Sequence, residues 1–219
     1  MQHLRREVDR LKRKLLALSA YVEESVQRAV KAISERDEKL AQRVIETDFE
    51  IDEMEVDVEE DCLKILALYQ PVAIDLRFII AVLKINNDLE RIGDLAVNIA
   101  ERAVSLSKQP RVDSPFDFKT MAERVQKMLQ KALDALVNGD EKLAREVLVA
   151  DDEIDEMNRQ MYDSIKLGIR QCPENVDTLI QVLAISRNLE RIADHTSNVA
   201  EDVIYMVDGD IIRHGVRHY

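Results

Sequence analysis

Tryptophan is absent from the 219-residue sequence, glycine occurs five times, proline four times, and aromatic residues make up only 4%. So little Gly and Pro excludes collagen-like, mucin-like and proline-rich disordered chains, and with 46% apolar and 34% charged residues it points to a helical globular protein with enough apolar content for a core. The only two cysteines, Cys62 and Cys172, form no CxxC pair and read as reduced thiols rather than a disulfide framework. No apolar run approaches the ~18 residues of a membrane span. The longest candidate, from Phe78 to Ile85, is interrupted by Lys84. The basic N-terminus lacks an apolar h-region, so no signal peptide is expected, and the chain reads as soluble and cytoplasmic. Cations are also in deficit: 31 Lys and Arg stand against 43 Asp and Glu, a net charge of -12, which argues against a nucleic-acid binder. It leaves metal cations and basic partners open.

What is present is helical periodicity with sparse punctuation at Pro71, Pro110, Pro115, Gly139 and Pro173. Proline ends or kinks a helix, and glycine is favoured just past a C-terminus. The segments between them read as six helices, roughly 3–34, 37–69, 74–107, 117–138, 140–171 and 175–208, with Asp37 and Asp140 as N-caps. In the third, Ile85, Leu89, Ile92, Ala96, Ile99 and Ala103 alternate spacings of four and three and form one apolar stripe. A helix of ~30 residues is ~45 Å long. Elements of that length joined by short turns pack antiparallel into bundles.

The chain also repeats itself. Glu50-Ile51-Asp52-Glu53-Met54 recurs as Glu153-Ile154-Asp155-Glu156-Met157, and Leu89-Glu90-Arg91-Ile92 as Leu189-Glu190-Arg191-Ile192. Asp94, Asn98, Ala100 and Glu101 recur as Asp194, Asn198, Ala200 and Glu201. The expected organisation is all-α, two tandem three-helix bundles: a first repeat over residues 1–107, a linker over 108–116 and a second repeat over 117–219.

Each repeat carries two acidic pairs at i,i+4 spacing: Asp48 with Asp52 and Glu90 with Asp94, then Asp151 with Asp155 and Glu190 with Asp194. Asn98 and Glu101, and likewise Asn198 and Glu201, extend the stripes. Like charges four apart destabilise a helix by roughly 0.2–0.5 kcal/mol per pair. A solvated face is free to drift after duplication, and Asn86, Asn87 and Asp88 against Ser186, Arg187 and Asn188 read as such drift. Both members of every acidic pair nevertheless stay acidic. Adjacent acidic stripes need counter-charge from Arg or Lys side chains or from metal ions, and carboxylates so spaced can ligate a hard or borderline cation. Arg91 and Arg191 read as partners in interhelical ion pairs. The Glu-x-x-His motif of ferritin-like bundles is missing, and His195, whose counterpart is Leu95, reads as a surface or packing residue.

No phosphate-binding glycine loop and no Ser/His/Asp set is present, and His3, His214 and His218 lie near the termini. The sequence therefore does not point to an enzyme. Its rivals from other classes are a metal-dependent hydrolase using helix-borne carboxylates and a metal-free helical scaffold. The stretch from Leu4 to Lys14 is locally basic and reads as a solvated first helix, or as a docking surface for an acidic partner or a membrane face.

Tandem three-helix repeats with these acidic pairs resemble the PhoU family. The resemblance rests on Leu89-Glu90-Arg91-Ile92-Gly93-Asp94 with Leu189-Glu190-Arg191-Ile192-Ala193-Asp194, and on Gln70-Pro71-Val72-Ala73-Ile74-Asp75-Leu76-Arg77. It implies a negative regulator of phosphate uptake and phosphate-starvation signalling, a cytoplasmic adaptor between a phosphate ABC transporter, through its ATPase subunit, and a sensor histidine kinase. It further implies a homodimer that meets the membrane through its partners, and multinuclear iron or zinc on the acidic motifs. The implied ligands are Asp48, Asp52, Glu90, Asp94, Asp151, Asp155, Glu190 and Asp194, with Asn98, Glu101, Asn198 and Glu201 as second-line candidates. Ala193 in place of Gly93 is expected to matter little. Glu55 and Glu59 give way to Asn158 and Tyr162 in the second repeat, so that site is expected to hold fewer or weaker metals.

Overall fold

The computed structural model describes residues 2–109 and 118–209, and in them the chain is helical throughout, without strands. Its helices are α1 (Gln2–Glu35), α2 (Glu38–Glu46), α3 (Asp48–Tyr69), α4 (Ala73–Ser107), α5 (Phe118–Asn138), α6 (Glu141–Gln171) and α7 (Val176–Asp208), with a short 3-10 turn at Pro173–Asn175. Asp37 and Asp140 accept from the backbone N–H groups of Leu40 and Leu143, each at 3.0 Å, as N-caps do. Gly139 and Gly209 take positive φ at the ends of α5 and α7, where a side chain would be strained.

One expected element divides. The helix read over 37–69 is interrupted at Thr47, which separates α2 from α3. The Thr47 hydroxyl turns back to the carbonyl of Arg43 at 2.9 Å, and its ψ of 2 leaves the helical region. A short hydroxyl side chain competing for helical carbonyls bends the chain there. The expected linker over 108–116 lies, beyond Lys108 and Gln109, outside the described residues.

The α4 stripe from Ile85 to Ala103 is buried throughout, as its periodicity predicts. The most extensive helix–helix contact joins α4 to α7, across the two repeats. One continuous apolar cluster runs from Leu11 in α1 through Leu89 in α4 to Leu189 and Ile204 in α7. The two repeats therefore share a core. Polar struts cross the same seam: Lys84 reaches Asp202 at 2.7 Å, and the Asp88 carboxylate meets His195 Nδ1 at 2.8 Å and the Asn198 amide at 3.1 Å. Arg36 donates to the Gln109 carbonyl at 2.6 Å, and Gln109 accepts from Thr178 at 2.7 Å, tying the end of α4 to the start of α7.

Two side-chain assignments differ from the sequence reading. Asn86 and Ser186 are not drifting surface but are 1% and 0% exposed, at matching places between helices. Asn86 donates to the Glu55 carbonyl and carboxylate at 3.0 and 3.1 Å, while Ser186 donates to Asn158 at 2.8 Å. The two positions changed together, Glu with Asn in one repeat and Asn with Ser in the other, so a buried donor keeps its acceptor. Cys62 is buried and Cys172 exposed, both free; burial pushes the Cys62 thiol up to about 12 and keeps it from ionising.

Because the core is shared, metal-free protein should unfold in urea in one transition. Leu89→Ala and Leu189→Ala should each lower its stability by about 2–5 kcal/mol without splitting it. Two resolved transitions, each sensitive to only one substitution, would show independent bundles.

Candidate functional site

The acidic residues assemble because two helices in each repeat present them toward one another. In the first repeat α3 brings Asp48 and Asp52 against Glu90 and Asp94 of α4. A Cβ on Gly93 would stand 3.2 Å from two carbons of Ile51 and 3.9 Å from Asp48 Oδ1, so the bare glycine lets α3 approach closely just where Asp48 sits. The Asp48 carboxyl is pushed up to about 6, first by burial, then by the Asp52 and Asp94 carboxylates. Glu90 is raised by burial and by Asp94, against the opposing pull of Arg91, with Glu55 and Asp52 contributing. Glu55 is itself raised by burial, Glu59 and Asp52, so it belongs to the cluster, although Asn86 anchors it.

Arg91 corrects the sequence reading. Its guanidinium lies 3.3 Å from Glu90 and 3.1 Å from Asp94, so its close ion pairs are within its own helix, and across the gap to α3 it acts on Glu55 only at longer range. One cation thus stands among at least four carboxylates.

The second repeat forms the same arrangement. Asp151 is pushed up to about 6 by burial, then by Asp194 and Asp155, with the Ser197 hydroxyl acting the other way. Glu190 is raised by burial, then Asp194 and Asp155. Asp194 is raised by burial and Asp155, while His195 and Arg191 oppose. Here the cluster opens onto the seam between the repeats, in a cleft of about 700 Å³ whose walls include Asp151, Asp194, Ser197, Asn198 and Glu201 of the second repeat and Lys84 and Asp88 of α4. Asn198 and Glu201 line the same cleft as Asp151 and Asp194, whereas Asn98 and Glu101 are exposed. His195 spans the seam to Asp88, a role that its non-repeating position concealed.

Among the described residues, no three His, Cys, Asp or Glu side chains converge closely enough to hold an ion in their present conformations. The donor chemistry nonetheless fits a hard or borderline cation: half-buried carboxylates, several held above their ordinary range by one another, with too few cations among them.

The comparisons follow the same lines. The PhoU domain family matches residues 5–103 and 118–203, one copy on each repeat. This chain belongs to the PhoU family. A phosphate-specific transport system accessory protein PhoU homolog of Aquifex aeolicus is 36% identical over 209 residues, covering 95% of each chain. One of Pseudomonas aeruginosa is 37% identical over 214 residues, covering 97% of this chain and 88% of that protein. The crystal structure of PhoU from Pseudomonas aeruginosa superposes with a TM-score of 0.90 at 38% identity, covering 94% of this chain and 99% of the other. The phosphate transport system regulatory protein PhoU from Streptococcus pneumoniae gives 0.86 at 28% identity, covering 95% and 98%. The relatives are named as accessory proteins of phosphate-specific transport, and the hydrolase alternative finds no support in those names.

The raised carboxyls make a signed prediction. An acid whose folded pKa lies above its unfolded value binds protons better when folded, so stability falls as pH rises from the unfolded value near 4 to the folded value. For Asp48 and Asp151 that window closes at about 6. Asp48→Asn and Asp151→Asn should therefore raise the Tm of metal-free protein at pH 7 and change it little at pH 4. A Tm lowered equally at both pH values would contradict the assignment.

Proposed function

We propose that this chain is a negative regulator of phosphate uptake and phosphate-starvation signalling. It acts in the cytoplasm as a homodimeric, non-enzymatic adaptor between the ATPase subunit of a phosphate ABC transporter and a sensor histidine kinase. Membership of a family of phosphate-transport accessory proteins supports the setting. The observation that carries the mechanism is the pair of half-buried carboxylate clusters, one per repeat, each short of counter-charge.

In this reading Asp48, Asp52, Glu90 and Asp94 hold iron or zinc in the first repeat, and Asp151, Asp155, Glu190 and Asp194 in the second. Bound cations would cancel the repulsion between facing helices and fix their spacing, giving partners a rigid helical surface. Glu55 and Arg91 make the sites unequal. The first offers an additional carboxylate and contains an arginine clamp, while the second has Asn158 engaged with Ser186 and has Asn198 and Glu201 in the adjoining cleft.

The adaptor role is tested by pull-down of the tagged chain from phosphate-replete and phosphate-starved cells. The transporter ATPase and the kinase should co-purify, in amounts that depend on phosphate. Recovery of neither under both conditions would remove the reading.

The metal claim is tested by elemental analysis. Protein purified without chelator should carry iron or zinc, and Glu90→Ala with Asp94→Ala should reduce the content while leaving the helical circular dichroism signal unchanged. Metal-free protein that takes up none on reconstitution would refute the claim.

A further inference from the structure

The acidic clusters leave one region of the molecule unexplained: the end where α1 begins and α3 turns into α4. On the exposed arc of α1, Arg5, Arg6, Arg10, Lys12 and Arg13 form no ion pair among the described residues. At 100° per residue these five cations span roughly 160° of the helix, with Asp9 the one acid among them. The buried face carries Leu11, Leu15 and Leu18. Lys14, at the edge of the arc, reaches across to Asp57 at 3.3 Å and Asp61 at 2.7 Å of α3. From Asp61, α3 runs about 12 Å further, at 1.5 Å per residue, before it turns.

That turn is apolar and exposed. Leu68 is 66% exposed, Val72 75% and Ile74 70%, with Tyr69 and Leu76 beside them. Gln70 and Ala73 both have positive φ, at 44° and 49°, a conformation that is costly for residues with a side chain and that gives the turn a defined shape. Ile74 and Phe78 share a cavity wall with Lys12 and Leu15, which places the turn and the cations at the same end. Singly exposed aliphatics are ordinary, but a cluster this exposed on a protruding turn marks an interaction surface.

We propose that this end of the molecule docks directly on an anionic lipid bilayer. The turn enters the headgroup boundary, and the α1 cations lie over the lipid phosphates. Charge selects this occupant. The chain has a net charge of -12, yet here it collects five cations with no ion pair among the described residues, and screening over about 8–10 Å leaves a membrane to feel that local charge rather than the total. The shape selects it as well. Highly exposed aliphatics with a basic collar match the amphipathic pattern of interfacial binding, in which long Lys and Arg stems can lie along an apolar surface with their charges outward. This contact is separate from any contact through the transporter or the kinase, and needs neither.

The test is flotation of the full chain with vesicles of phosphatidylcholine alone and of phosphatidylcholine mixed with phosphatidylglycerol. The chain should float with the mixed vesicles only, and less as salt is raised. Arg6→Glu with Arg10→Glu and Arg13→Glu should weaken binding by at least about tenfold, at roughly tenfold per 1.4 kcal/mol and ~1 kcal/mol per charge. Leu68→Ser with Val72→Ser should weaken it too, with unchanged circular dichroism in both variants. No flotation of the unaltered chain at low salt, or equal flotation of the charge-reversed variant, overturns the proposal. So does a result in which these variants leave vesicle binding unchanged but dissociate a dimer in light scattering, or lose an acidic protein partner.

Discussion

The structure depends on the burial of α4 against α7. Each helix presents one apolar stripe, and the shared core fixes the rotation of both about their axes. With that rotation fixed, Glu90 and Asp94 can lie only on the flank of α4, and Glu190 and Asp194 only on the matching flank of α7, where α3 and α6 bring further carboxylates to meet them. Burial of apolar area at roughly 25 cal/mol per Å² over two such helices greatly exceeds the few tenths of a kcal/mol by which each like-charge pair opposes helix formation. The core can therefore hold acidic groups together, half out of water, that would separate if free.

Their electrostatic condition follows from that placement. Burial is the largest influence on Asp48, Glu90, Asp151, Glu190 and Asp194, and neighbouring carboxylates add to it. Arg91 relieves the first cluster in part; in the second the nearby cations are Arg187 and Arg191. The seam between repeats is built from different polar contacts, Lys84 with Asp202 and Asp88 with His195 and Asn198, which adjoin the second cluster only. The duplicated halves thus have one framework and unequal surroundings, and the second cluster lies where a change in side-chain position would reach the partner repeat.

Much of this was legible in the sequence. The stripe from Ile85 to Ala103 predicted the buried face of α4, Asp37 and Asp140 predicted their caps, and the paired Glu90/Asp94 and Glu190/Asp194 identified the flanks, because helical periodicity and capping are local. What the sequence concealed depended on contacts between helices. Asn86 and Ser186 looked like drift because their acceptors, Glu55 and Asn158, lie 31 and 28 residues away. His195 looked incidental because its partner Asp88 is on the other repeat. The break at Thr47 was missed because its cause, a hydroxyl turned back to the Arg43 carbonyl, requires no glycine or proline to signal it.

The central claim is that these carboxylates are held together for a cation to join them. Calorimetric titration of iron(II) or zinc into metal-free protein, repeated in buffers of different ionisation enthalpy at pH 6 and pH 8, tests it most directly. Asp48 and Asp151, both at about 6, should give up protons as metal binds at pH 6 and far fewer at pH 8. Binding that releases the same number of protons at both, or no binding at either, would contradict the account.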